Sequence, residues 1–120
     1  MLGLQKKLKK KMQDKFKHTS HKVGRKKVLI SNDETESCLT QFAYGELDSG
    51  DKIETHVHPT MDEYFYFIDG EGKYRIGEQS YNVFGGCHIT IPANKSHSLE
   101  STGNDTLKFV YLGIALNRKE

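Results

Sequence analysis

Beyond residue 27 the chain breaks into short runs in which apolar and polar residues alternate, and the breaks fall at Gly, Asp, Asn and Ser. Stretch 63–69 carries the pattern clearly: Glu63, Phe65 and Phe67 share one face of an extended strand, and Tyr64, Tyr66 and Ile68 share the other. Comparable runs at 28–31, 38–47, 53–58, 63–69, 73–76, 81–84, 87–91, 97–100 and 107–112 are the predicted strands. Many short strands parted by turn residues imply an all-β sandwich or barrel. The segments differ in length and composition, so no solenoid repeat is present.

The beginning of the chain follows a different period. Leu4, Leu8, Met12 and Phe16 recur every four positions among lysines, which predicts a basic amphipathic helix over 4–17. A polar linker around Gly24 is expected over 18–27. Charge divides the chain at the same place. The formal net charge of +2 conceals eleven Lys or Arg against one acid in residues 1–27, a net +10. Residues 28–120 carry seven against fifteen, a net −8. Two units are therefore expected: a basic N-terminal segment, 1–27, and a barrel, 28–120. With 120 residues, 35% of them hydrophobic, the chain can fill one core and not two.

The chain has no apolar run of 18 residues and no secretory-type leader, so a cytoplasmic location is expected. Cys38 and Cys87 match no zinc or redox spacing and are expected to be reduced thiols. Cys87 is read as a buried one, because no cation stands near it in sequence.

The chemistry concentrates in a few residues. His56 and His58 stand two apart in a predicted strand and so point the same way, as ligands of one metal ion must. If the turn at 59–62 reverses the chain into an antiparallel neighbour, Glu63 joins them from the second strand of a single hairpin. Phe65 and Phe67, on the same face as Glu63, would wall the site against water. The best-placed fourth ligand is His97, after the Pro92 turn.

The spacing Gly50, five residues, His56, one residue, His58, four residues, Glu63, six residues, Gly70 resembles the first motif of the cupins without a gap. Gly86, five residues, Pro92, and His97 five positions on resemble the second. The resemblance covers roughly residues 38–112 and implies a double-stranded β-helix, or jelly-roll barrel, with His56, His58, Glu63 and His97 as the metal ligands. Asn94 stands where the second motif usually has Gly, and Ser101 where it usually has Asn, which questions the shape of that turn.

Three imidazoles and one carboxylate suit a borderline divalent ion: Zn, Fe, Mn, Ni, Co or Cu, with Mg and Ca disfavoured by nitrogen. An ion that takes six ligands would keep two positions for a small oxygen-rich molecule. A carbohydrate-type isomerase or epimerase is the first reading, although no general base can be named. A metal-dependent dioxygenase and a non-catalytic binding or sensor module are the alternatives.

Tyr74, Tyr81 and Tyr111 are read as packing residues that could reach a ligand, and His18, His21 and His88 as structural. Cupins of this size and their unpaired strand edges imply a homodimer, with 38–47 as the contact. The basic segment is expected to dock on the acidic barrel, with neither a nucleic acid nor a membrane as partner.

Overall fold

The computed structural model describes residues 17–18 and 23–117. Ten strands follow in order: β1 (Lys17–His18), β2 (Arg25–Ser31), β3 (Leu39–Leu47), β4 (Lys52–His56), β5 (Met61–Asp69), β6 (Glu71–Ile76), β7 (Gln79–Phe84), β8 (His88–Ile91), β9 (His97–Ser101) and β10 (Leu107–Ala115). They form two antiparallel sheets, ordered β1-β2-β3-β10-β5-β8 and β4-β9-β6-β7. The fold is therefore all-β, as the alternating pattern implies, with a jelly-roll arrangement of two facing sheets.

The helix expected over 4–17 lies outside the described residues except at its last position. Lys17 instead pairs with Lys26, as part of the short β1. Arg25, Lys26 and Lys27 are not linker but the start of β2. The sequence pattern misses them because three consecutive cations hide the alternation, and backbone pairing to β3 decides the matter.

The inward rows of the six-stranded sheet can be read straight across it. Leu47 pairs with Leu107, Gly45 with Phe109 and Ala43 with Tyr111, while Phe109 faces Phe67 and Tyr111 faces Phe65 across β10 and β5. Leu47, Phe67, Leu107 and Phe109 are buried against Tyr74, Val83 and Leu99 of the opposite sheet, and together they make the core. Gly45 is required by this packing: a Cβ there would lie 2.6 Å from the Phe109 ring. Gly70 is required by the turn between β5 and β6, where its φ is +88° and a Cβ would lie 2.6 Å from the Thr106 carbonyl oxygen.

Candidate metal centre

His56 and His97 stand directly opposite one another where β4 pairs with β9. Their rings are 4.2 Å apart between centroids, and the His58 ring is 4.8 Å from His56 and 5.2 Å from His97. Glu63 enters from the facing sheet. Its Oε1 lies 3.3 Å from Nε2 of His58 and 3.3 Å from Nε2 of His97. The structure thus brings all four sequence-derived residues together, with one donor atom from each within 4.8 Å of the others.

The route differs from the expected one. β4 and β5 are not two strands of one hairpin: β4 neighbours β9 in the four-stranded sheet, and β5 lies between β10 and β8 in the other. β4 also ends at His56, so His58 projects from the connection and not from a strand. The chain crosses between sheets at 57–60, and the site is closed by sheet-on-sheet packing instead of by lateral pairing.

Hydrogen bonds hold these pieces in place. The Asn94 N–H donates to the His58 carbonyl at 2.9 Å, and the Ala93 N–H donates to Oδ1 of Asp62 at 2.8 Å. Together they tie the turn ahead of His97 to the crossing that carries His58. Asn94 occupies the left-handed region with φ of +68°, a conformation open to Gly and tolerated by Asn, so the departure from the cupin motif preserves the turn. Ser101 leaves a trace of the other departure: its hydroxyl is buried without a partner among the described residues.

The donor set fits a transition-metal ion. Nδ1 of His56 bonds the Glu54 carbonyl at 2.8 Å, and Nδ1 of His97 bonds the Lys95 carbonyl at 2.8 Å. A carbonyl accepts only, so both rings carry their proton on Nδ1 and turn an Nε2 lone pair toward the cluster. Nε2 of His97 is buried and makes no hydrogen bond among the described residues, with Oε1 of Glu63 3.3 Å away. A lone pair buried in this way is costly unless something meets it. Bonds of about 2.1 Å to one ion would put donors about 3.0–4.2 Å apart, close to what is found.

Burial lowers the pKa of His56, keeping its imidazole neutral as a ligand must be. For His97 burial acts the same way, but the Glu63 carboxylate and the Lys95 carbonyl outweigh it and the pKa is raised.

A cavity of about 100 Å³ adjoins the cluster between the two sheets. Phe65, Tyr74, Phe109 and Tyr111 line it, and His56, His58 and Glu63 lie at its wall. Phe65 and Phe67 are buried on the Glu63 face as the alternation implies, and the Phe65 ring stacks on Tyr111 at 5.0 Å. Burial, and then the charge of Glu63, raise the pKa of Tyr74 well above its ordinary value and push Tyr111 up to about 12. Both phenols are protonated at neutral pH and can donate a hydrogen bond but not take a proton.

Tyr81 is exposed on the edge strand β7 although it shares the face of Tyr74 and Val83, and His88 is exposed on the outer face. Neither lines the cavity, and Cys87 is half-buried instead of buried. Lys26 and Gln41 also line the cavity, and neither stands out in the amino-acid sequence. Their only signal is the strand register: Lys26 pairs with inward Gly45, and Gln41 lies in one row with Gly113 and Glu63.

Comparison with known proteins agrees with this architecture. The family model described as "Cupin domain" matches residues 43–113. An oxalate-binding protein of Thermotoga maritima is 28% identical over 88 residues, covering 73% of each chain. An uncharacterized protein of Methanocaldococcus jannaschii is 33% identical over 61 residues, 51% of this chain and 49% of that one. Among solved structures, a predicted oxalate decarboxylase from Thermotoga maritima superposes with a TM-score of 0.75 at 27% identity, covering 78% of this chain and 81% of that chain.

Proposed function

The chain belongs to the cupin domain family, and on that premise we propose that it holds one divalent transition-metal ion with His56, His58, Glu63 and His97 and captures a small oxygen-rich ligand beside it. The observation that carries this reading is the convergence of the four donor atoms within 4.8 Å, with the buried Nε2 of His97 making no hydrogen bond among the described residues. An ion bound there supplies Lewis acidity, polarising the oxygens of a ligand. The protein's own part is to fix the imidazole tautomers through the Glu54 and Lys95 carbonyls and to exclude water with Phe65 and Phe109. Tyr74 and Tyr111, as protonated phenols, can donate to a ligand oxygen.

The size of the space supports a ligand of few atoms. The cavity beside the cluster is about 100 Å³. A short carboxylate fits such a space better than a whole sugar phosphate. The relative that binds oxalate lends weight to the same class.

Carbohydrate-type isomerisation or epimerisation would add proton abstraction to capture. The Glu46 carboxylate stands on the outward face of β3, where it accepts from Arg25 at 3.1 Å and from Tyr44 at 2.8 Å, and both cavity phenols hold their protons. The wall therefore supports capture more directly than isomerisation. Metal analysis of protein purified without chelator or affinity metal, followed by titration with oxalate, tests the proposal. A metal-free protein that takes up no ion would refute it. Sugar isomerisation or oxygen uptake by the loaded protein would establish one of the two catalytic readings instead.

We also propose that a second copy covers the outer face of the six-stranded sheet. Phe42, Tyr64, Tyr66, Val110 and Leu112 line a shallow apolar groove there, and Phe42 belongs to the 38–47 segment expected to make the contact.

A further inference from the structure

Arg25 and Lys26 are neighbours on β2 with opposite circumstances. Arg25 donates to Glu46 at 3.1 Å and to both carboxylate oxygens of Asp48 at 2.9 Å. Lys26 is half-buried, and no ion pair or side-chain hydrogen bond satisfies it among the described residues. It is the only Lys or Arg among the described residues lining the cavity. Lys26 shares the inward face with its partner Gly45, whereas the Glu46 carboxylate stands on the opposite face of β3, bonded to Arg25 and Tyr44, so the Lys26 ammonium is left to an anion that enters the cavity.

The register gives the distance scale. Lys26 pairs with Gly45, whereas Gln41 shares its row with Gly113 and Glu63. From Gly45 to Gln41 is four residues along β3, about 13 Å. A lysine stem spans roughly 6 Å. Lys26 and the cluster thus stand at different places on the wall of one narrow cavity, and a single charged group does not serve both.

We propose that Lys26 is a specificity-determining residue that pairs with the distal carboxylate of an unbranched hydroxy-dicarboxylate whose 2-hydroxy-acid end sits at the cluster. This rests on the metal-binding reading and names its ligand class. Such a ligand meets the polar ends of the cavity with its two charged ends and the aromatic wall with its carbon chain.

Malate and lactate make the test, because they share the 2-hydroxy-acid end and differ by one carboxylate. Each is titrated calorimetrically into full-length protein loaded with one metal, as wild type, Lys26→Met and Lys26→Arg, with metal content and melting temperature measured alongside. The wild type should bind malate more tightly than lactate. Lys26→Met should lose at least about tenfold in malate affinity, with lactate affinity, metal content and melting temperature unchanged. Lys26→Arg should retain most of the malate affinity. Equal malate affinity in wild type and Lys26→Met would overturn the assignment, as would a parallel loss of lactate binding. A wild type that takes up no metal would overturn the metal-binding reading itself, and this inference with it.

Discussion

The two faces of the six-stranded sheet are built from the same strands and treat their side chains in opposite ways. Inward along β5, Glu63, Phe65 and Phe67 are at most 7% exposed, whereas outward Tyr64, Tyr66 and Ile68 are 39–49% exposed. Inward on β2 is Lys26, without a protein anion among the described residues; its neighbour Arg25 has two. The inner face is closed by a second sheet, so its polar groups must be met by one another or by a ligand. The outer face can rely on water or on another surface. Chemistry has accordingly collected on the side where leaving a donor unmatched costs most.

The contrast breaks most readily by truncating one residue from each face. Phe67→Ala should destabilise the fold by about 3–5 kcal/mol, and Tyr66→Ala by well under half as much, as read from urea midpoints. Equal losses would show that the outer face is as tightly packed as the inner one. Next, His97→Ala should lower bound metal by at least about tenfold, since loss of a ligand exceeds the roughly 10- to 100-fold range of outer-shell changes at its low end; elemental analysis reads it.

A smaller effect is expected from Asp62→Ala, which frees the Ala93 N–H and loosens the turn before His97 without removing a donor. Metal affinity should weaken while stoichiometry at saturating metal stays at wild type. On the outer face, Tyr64→Ser with Tyr66→Ser should convert a dimer to a monomer in light scattering and leave metal content unchanged. The smallest change belongs to Arg25→Ala. Its pair with Asp48 is exposed and screened by salt. Arg25 holds the Asp48 carboxyl below its ordinary range, so the pair's contribution is present at neutral pH and fades as pH falls through the Asp48 titration. The variant should therefore melt slightly lower at neutral pH and low salt, and like the wild type in strong acid.

Much of the candidate site is legible in the amino-acid sequence because side-chain direction in a strand depends only on covalent geometry. The alternation in 63–69 puts Glu63 with Phe65 and Phe67 whatever the strand pairs with, and the burial follows it. Residue type alone marks imidazoles and a carboxylate as metal donors. Where alternation is masked, as by the cations at 25–27, or where a candidate residue leaves the strand, as His58 does, that reasoning weakens.

Which strands face one another is a different matter, decided by contacts between residues far apart in the chain. By itself the sequence determined the class of the fold and the face that Glu63 shares, and it singled out the four residues that converge. Only the tertiary structure decided that Glu63 reaches His56 and His97 across two sheets instead of along one hairpin. It alone decided that His97 lies opposite His56, and that Lys26 shares a cavity with His56, His58 and Glu63. The physical reason is that a strand's period is local, whereas its neighbours are selected by burying one face of each sheet against the other, a condition that no short stretch of sequence contains.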